Sequence, residues 1–244
     1  MTLFLTSSPC IDGADRAILN PENEFLDRIR QALPQNPRCL FICSSPDRRD
    51  LNCLFGSHMF IAFAEAGIAF SQYQVLDAYN ADHARKMIGD SDLIILAGGH
   101  VPTQNAFFRE INLNALLESY EGVIMGISAG TMNCAETVYV QPEEPGESID
   151  PDYQRFCPGL GLTHAQVCPH YQKVKDYILD GQRLFEDITY GDSMGNTFFA
   201  LPDGSYILSE NGAETLYGEA YRIRNGILEL VCVNGESIEL NKLY

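Results

Sequence analysis

One serine stands in a setting that favours nucleophilic catalysis. Ser128 lies within Gly126-Ile127-Ser128-Ala129-Gly130, directly after the apolar run 123–127. In a G-x-S-x-G segment, a sharp strand-to-helix turn lifts the serine hydroxyl clear of the sheet, and the glycines avoid clashes inside that turn. The start of the following helix would present backbone N–H groups to a developing oxyanion. Because serine is also a favoured helix cap, the pattern alone leaves a purely structural role open.

A pair of glycines precedes Ser128 in a similar position. Gly98-Gly99-His100 ends the preceding apolar run 93–97. The backbone N–H of Gly99, together with that of Ala129, would form an oxyanion hole with two donors. A plain glycine turn in a loop is the alternative. His100 is better interpreted as a wall of the site than as a catalytic base.

A serine nucleophile needs a base within hydrogen-bond reach, and histidine is the usual one. His170, in Cys168-Pro169-His170-Tyr171, is the main candidate, and the nearby His164 competes with it. His58 falls in an apolar helical segment and His83 in a polar one, so both are expected to be structural or solvated. The spacing does not select a carboxylate partner among Glu136, Glu143, Glu144, Glu147, Asp150 and Asp152.

Apolar strands and amphipathic helices that alternate along the chain must position these residues. The pattern predicts strands at 3–6, 39–43, 73–76, 93–97 and 123–127, and helices at 23–33, 51–66, 81–88, 104–120, 129–136 and 175–188. Uninterrupted apolar strands between helices indicate an α/β fold whose mostly parallel central sheet carries helices on both faces. Ligand sites in such sheets lie beyond the carboxyl ends of the strands, where both glycine-rich turns fall.

The last part of the chain has a different pattern. Turn pairs recur between apolar runs, at Asp203-Gly204, Asn211-Gly212, Asn225-Gly226 and Asn234-Gly235. Such pairs are hairpin signals, so we expect an antiparallel β extension at the carboxyl terminus. The length of 244 residues fits a single α/β domain spanning 1–244.

The composition excludes several classes of partner. The formal net charge is −17, so phosphate backbones and anionic membrane surfaces would repel the protein. The first residues, 1–9, carry no basic residue and only a short apolar run, so we expect no signal peptide and a cytoplasmic location. The eight cysteines are then expected to be reduced. No Cys/His cluster has zinc spacing, and we expect neither metal nor cofactor.

The order of these motifs resembles that of the dipeptidase E family, peptidase family S51, which also includes the cyanophycinases. The resemblance rests on Gly98-Gly99-His100, on Gly126–Gly130, on Gly159-Leu160-Gly161-Leu162 and on Pro169-His170-Tyr171, and it spans roughly 41–201. It implies a flavodoxin-like fold of the class I glutamine amidotransferase type, with a serine in place of cysteine. It also implies a serine peptidase that acts on short peptides without a metal or cofactor.

Carried over by motif, the resemblance implies that Ser128 is the nucleophile and His170 the base, and that Gly99 and Ala129 are the oxyanion donors. The family's acid is Asp or sometimes Glu and follows shortly after the serine. The corresponding segment here has Glu143, with Glu144 beside it, and no Asp. The resemblance therefore implies a Ser-His-Glu triad.

Three positions bear on the substrate. His100 replaces the family's Asn after the glycine pair. Relatives hold an amino-terminal Asp of the substrate with an Arg, and the matching position here falls near Asp180, with Arg183 as the nearest cation. A carboxylate facing an Asp substrate would repel it, so specificity for Asp-X peptides is not expected to carry over.

Alternative functions remain open from the sequence. An esterase of the α/β-hydrolase type also uses G-x-S-x-G, although its histidine falls nearer the carboxyl terminus. A catalytically inactive, amidotransferase-like binding module is a second alternative, and a cyanophycinase-like enzyme acting on β-linked Asp-Arg material is a third. A homodimer is one possible assembly.

Overall fold

A computed structural model describes residues 1–11 and 13–244, and a large central sheet forms its middle layer. The strands are β1 (Thr2–Thr6), β2 (Arg38–Ile42), β3 (Gln72–Leu76), β4 (Leu93–Leu96), β5 (Val123–Ile127), β6 (Thr137–Tyr139), β7 (Phe156–Pro158), β8 (Gln166–Cys168), β9 (Ile178–Leu179), β10 (Gln182–Arg183), β11 (Thr197–Ala200), β12 (Tyr206–Glu210), β13 (Ala213–Tyr217), β14 (Ala220–Arg224), β15 (Ile227–Cys232) and β16 (Ser237–Glu239).

The helices connect the parallel strands and then become short. They are α1 (Phe25–Ala32), α2 (Arg49–Glu65), α3 (Ala84–Gly89), α4 (Val101–Glu110), α5 (Leu113–Leu117), α6 (Ala129–Asn133), α7 (Tyr171–Val174) and α8 (Tyr190–Asp192). Three 3₁₀ segments (Glu22–Glu24, Ala78–His83 and Leu240–Lys242) and one π-helical segment (Leu184–Thr189) complete the helical structure.

The central sheet has eight strands in the order β16-β13-β12-β1-β5-β4-β2-β3. Strands β1, β5, β4, β2 and β3 are parallel, whereas β12, β13 and β16 join antiparallel at one side. This arrangement confirms the predicted α/β fold, with a mostly parallel sheet and an antiparallel extension.

Alternating side chains of the parallel strands build a core on each face of the sheet. In β1, Leu3 and Leu5 pack with residues of α3, α4 and α5, while Phe4 packs on the other face with residues of α1 and α2. Successive side chains of a strand point to opposite faces, so uninterrupted apolar strands can be buried by helices on both sides. The strands therefore end in a rigid framework that can hold side chains at its edge.

A second sheet of four strands, β15-β14-β11-β8, adjoins the first. Strands β8 and β11 are parallel, and Ala200 lies opposite Cys168. The predicted turns at Asn211-Gly212 and Asn225-Gly226 do form hairpins, between β12 and β13 and between β14 and β15. Asp203-Gly204 and Asn234-Gly235 do not, because β11 and β12, like β15 and β16, belong to different sheets. At Asp203 the chain passes from the four-stranded sheet to the central sheet.

Two predicted helices differ from the structure. The segment 175–188 contains the short hairpin of β9 and β10, because Asp180 and Gly181 have φ angles of 51° and 82°. The segment 104–120 is divided into α4 and α5 at Asn112, with a φ angle of 53°. Left-handed backbone cannot continue a right-handed helix. Among the helices of the described residues, none has the length and apolar character that crossing a membrane requires.

The aromatic cluster around β1 generates a stability prediction. Phe4 is fully buried and packs edge-to-face on Phe25, with ring centroids 5.9 Å apart. Phe4→Ala should lower the free energy of unfolding by about 3–5 kcal/mol, because the substitution leaves a cavity in the core. Urea denaturation measures the change. Phe55, which is 46% exposed, is the matched control, and Phe55→Ala should cost less than about 0.5 kcal/mol. Equal losses for the two variants would contradict this description of the core.

Candidate active site

Ser128 occupies the turn between β5 and α6, with a φ angle of 50° and a ψ angle of −112°. Its backbone N–H donates to the carbonyl oxygens of Thr6 and Ser7, at 3.2 and 3.0 Å. A Cβ at Gly130 would collide with the carbonyl oxygen of Leu96, so this position requires glycine. The turn therefore has the strained geometry that the G-x-S-x-G pattern predicts, with the serine at the carboxyl edge of the sheet.

His170 follows β8 and also has a left-handed backbone, with a φ angle of 57°. Its Nε2 lies 2.9 Å from the Oγ of Ser128. The competing His164 is exposed and pairs with Glu136 at 2.9 Å. The structure thus brings His170, and not His164, to the candidate nucleophile.

The carboxylate beside His170 belongs to Asp203, whose Oδ1 lies 2.6 Å from the Nδ1 of the imidazole. An ionised carboxylate only accepts hydrogen bonds, so Nδ1 carries a proton, and in the neutral form of the ring Nε2 can accept from Ser128. The expected acids differ. Glu143 accepts a hydrogen bond from the backbone N–H of Val101 at 3.1 Å, and Glu144 is exposed. The expectation of a glutamate beside His170 is corrected by this geometry.

Parallel strands place Asp203 at this position. Strands β8 and β11 run side by side with Cys168 opposite Ala200, so the chain leaves both strands at the same edge. Sequence reasoning missed Asp203 because Asp-Gly was interpreted as the turn of a local hairpin. The available signal was the apolar run 198–201, which ends directly before Pro202 and Asp203.

Ser7 is a second residue that sequence reasoning missed. It is fully buried at the end of β1. Its hydroxyl accepts the backbone N–H of His170 at 2.7 Å and donates to the Oδ1 of Asp203 at 2.9 Å. Ser7 therefore fixes both the histidine backbone and the carboxylate.

Burial alone would raise the pKa of the Asp203 carboxyl group. The hydrogen bond and charge of His170, the ion pair with Lys173 at 2.8 Å and the hydrogen bond from Ser7 outweigh burial and lower that pKa far below its usual range. Asp203 is therefore ionised and can hold the imidazole in one orientation.

Gly99 and Ser128 line the same pocket. A Cβ on Gly98 would lie 3.3 Å from the Cβ of Ser128, and a Cβ on Gly99 would lie 2.7 Å from that of Ser44. These close approaches explain the glycine pair. Ala129 is the first residue of α6, next to Ser128. The assignment of Gly99 and Ala129 as oxyanion donors stays a prediction.

The pocket has a volume of about 250 Å³ and opens beside Ser128 and His170. Its walls are mainly apolar, and its remaining lining residues are Gly99, Val101, Met132, Gln141, Pro142, Glu143, Pro169, Val174, Tyr177 and Leu184. Such a cavity can hold a small side chain or the end of a peptide.

The residues expected to contact substrate are engaged elsewhere. Asp180 accepts hydrogen bonds from the backbone of Gly146, at 2.9 Å, and from the hydroxyl of Ser148, at 2.7 Å. Arg183 pairs with Asp187 through two nitrogens. His100 bonds to Glu147 through Nε2, at 2.8 Å. None of Asp180, Arg183 and His100 lines the pocket, so the structure does not bring them together with Ser128.

One group of His and Glu side chains has the spacing to hold a metal ion among the described residues. His100, Glu144 and Glu147 each offer one atom within 4.8 Å of the others. Glu147 also accepts the backbone N–H groups of Glu143 and Glu144, at 2.8 and 2.9 Å. These hydrogen bonds oppose the effect of burial and lower the pKa of Glu147. His100 and Glu147 therefore hold the loop 141–148 in place through these hydrogen bonds.

Comparisons with known proteins identify the family and the fold. The model of the family described as peptidase family S51 matches residues 3–216. Among solved structures, a candidate peptidase E protein from Listeria monocytogenes EGD-e matches with a TM-score of 0.60 and 13% sequence identity. The match covers 95% of this chain and 98% of that chain, and it shows a shared fold. No curated protein matches the chain significantly.

The lowered pKa of Asp203 predicts a pH dependence of stability. The pKa of an Asp in the unfolded chain is about 3.9. The stabilisation from ionised Asp203 is therefore present above that pH and is lost as the pH falls towards the lower pKa of Asp203 in the folded protein. The free energy of unfolding of the wild type should therefore fall more steeply than that of Asp203→Asn between about pH 5 and about pH 3. Urea denaturation across this range measures both slopes. Parallel slopes would show that Asp203 is not held in its charged form.

Proposed function

The chain belongs to peptidase family S51 and is a serine-type peptidase, and we propose that it cleaves short peptides with Ser128, His170 and Asp203 as its triad. The observation that carries this proposal is one chain of hydrogen bonds. The Oγ of Ser128 lies 2.9 Å from Nε2 of His170, and Nδ1 of the same ring lies 2.6 Å from Asp203. Nucleophile, base and orienting carboxylate stand in the order that acyl transfer requires.

Acylation would begin with attack by the Oγ of Ser128 on the peptide carbonyl carbon. As the new C–O bond forms, the hydroxyl proton passes to Nε2 of His170. The carboxylate of Asp203 keeps the other ring nitrogen protonated and stabilises the imidazolium that results. The backbone N–H groups of Gly99 and Ala129 would receive the oxyanion.

The second half of the reaction returns the enzyme to its resting state. His170 delivers the proton to the leaving amine as the C–N bond breaks, which leaves an ester on Ser128. A water molecule then attacks the ester carbonyl and gives a proton to His170. Collapse of the tetrahedral intermediate breaks the ester bond, and the proton returns to Ser128.

Two features of the pocket support short peptides as substrates. Its volume of about 250 Å³ is small. The loop 141–148 lines it through Gln141, Pro142 and Glu143, and this loop is tied to the β9–β10 hairpin through Asp180. A fixed loop beside the nucleophile would obstruct a chain that continues in that direction.

Removal of the nucleophile gives the direct test. Ser128→Ala should lower kcat/KM on a dipeptide and tripeptide library by about 10⁴-fold or more, because the acyl-enzyme can no longer form. A fluorophosphonate probe should label the wild type at Ser128 and leave the variant unlabelled. Equal residual hydrolysis by the two proteins would overturn the assignment. A wild type that neither hydrolyses peptides nor reacts with the probe would indicate an inactive binding module.

The identity of the acid is tested by a matched pair of variants. Asp203→Asn should lower kcat by roughly 10³- to 10⁴-fold, since the amide no longer enforces the correct tautomer of His170. Glu144→Gln also removes one carboxylate, and its kcat should stay within about twofold of that of the wild type. Initial rates on one cleaved peptide measure both. A large loss in Glu144→Gln with an active Asp203→Asn would restore the glutamate as the acid.

A further inference from the structure

The pocket beside Ser128 contains one carboxylate in an otherwise mainly apolar wall. Val101, Met132, Val174, Tyr177 and Leu184 provide apolar surface, while Glu143 lines the same cavity. No Lys or Arg is among the lining residues. The pocket wall therefore offers a carboxylate with no Lys or Arg beside it.

The hydrogen bonds of Glu143 leave much of its carboxylate unused. Among the residues that the structure describes, only the backbone N–H of Val101 donates to it, at 3.1 Å. The side chain is exposed and lines the pocket, so a bound group can reach it. Partial desolvation by the surrounding protein raises its pKa, and Glu147 and Glu144 add to this effect, while the hydrogen bond from Val101 and the charge of His100 oppose it.

The neighbouring acidic groups have structural partners. Glu147 accepts from His100 and from two backbone N–H groups of the loop. Asp180 accepts from Gly146 and Ser148. Glu143 differs because it lines the space next to the nucleophile and accepts only one hydrogen bond from the described residues. A carboxylate in a mainly apolar wall attracts a cation more strongly than one surrounded by water, so the site favours a positively charged group.

We infer that Glu143 is a substrate-binding residue that receives a positively charged group from the residue whose carbonyl Ser128 attacks. This inference rests on the proposed function and names the substrate class of the same site. The charged group is either the free α-ammonium or the side chain of Lys or Arg, whose methylene stem fits an apolar wall. A substrate Asp side chain would bring a like charge to Glu143 and bind poorly. The net charge of −17 would favour the approach of cationic peptides.

Binding to Ser128→Ala separates recognition from catalysis. We would measure dissociation constants by calorimetry for four peptide amides: Leu-Ala, N-acetyl-Leu-Ala, N-acetyl-Lys-Ala and N-acetyl-Asp-Ala. At least one of Leu-Ala and N-acetyl-Lys-Ala should bind about tenfold or more tightly than N-acetyl-Leu-Ala. The reason is that the acetylated Leu peptide has no cation to place beside the carboxylate. A preference for Leu-Ala assigns the α-ammonium, and a preference for N-acetyl-Lys-Ala assigns the side chain.

The preference should depend on Glu143 alone. It should disappear in Ser128→Ala/Glu143→Gln, in which the amide retains the shape of the side chain, and persist in the control Ser128→Ala/Glu144→Gln. Tight binding of the neutral peptide or of N-acetyl-Asp-Ala, a preference that survives Glu143→Gln, or no binding of any peptide would each overturn the inference.

Hydrolysis by the wild type distinguishes this inference from the proposed function. Binding that depends on Glu143, with no hydrolysis by the wild type, would refute the peptidase mechanism and leave the cation site standing. Ser128-dependent hydrolysis with no charge preference would refute the cation site and leave the triad standing.

Discussion

Ser7 connects three parts of the chain that are distant in sequence, and the geometry of the site depends on these contacts. Its hydroxyl accepts the N–H of His170 and donates to Asp203, while its carbonyl oxygen accepts the N–H of Ser128. The residue is fully buried, so the loss of one of these hydrogen bonds would leave a buried polar group unsatisfied, at a cost of about 1–3 kcal/mol. The end of β1 thereby aligns the central sheet with the four-stranded sheet.

This alignment allows two strained residues to face each other. Ser128 and His170 both have positive φ angles, 50° and 57°, which are unfavourable for residues with a side chain. Their backbone N–H groups are held by Ser7 and, for Ser128, also by Thr6. The cores on both faces of the central sheet fix β1 and β5, so the strain is borne by a framework that cannot easily relax. Preorganisation of this kind places the hydroxyl and imidazole before any substrate arrives.

The acidic residues around the pocket divide into two groups by what they contact. Asp203, Glu147 and Asp180 accept several hydrogen bonds or ion pairs and hold the site together. Glu143 accepts one hydrogen bond and faces the cavity. These carboxylates thus differ in how many of their oxygens accept hydrogen bonds from the protein. Arg183, the arginine expected near the substrate, is paired with Asp187.

The sequence by itself determined the α/β architecture and the turn of Ser128, and it did so for local reasons, while His170 was a prediction carried over from the resemblance. Apolar runs, helix periodicity and the G-x-S-x-G segment describe backbone conformations within a few residues, and such conformations follow from neighbouring side chains. The helix predicted at 175–188 was wrong because left-handed residues at Asp180 and Gly181 begin a hairpin there.

Only the tertiary structure decided which carboxylate faces His170. Asp203 lies in an Asp-Gly pair whose local pattern is that of a hairpin turn, and Glu143 lies nearer to Ser128 in the chain. The parallel register of β8 and β11 and the hydroxyl of Ser7 bring Asp203 to the imidazole. A contact of this kind depends on pairing between distant strands, which no local spacing along the chain encodes.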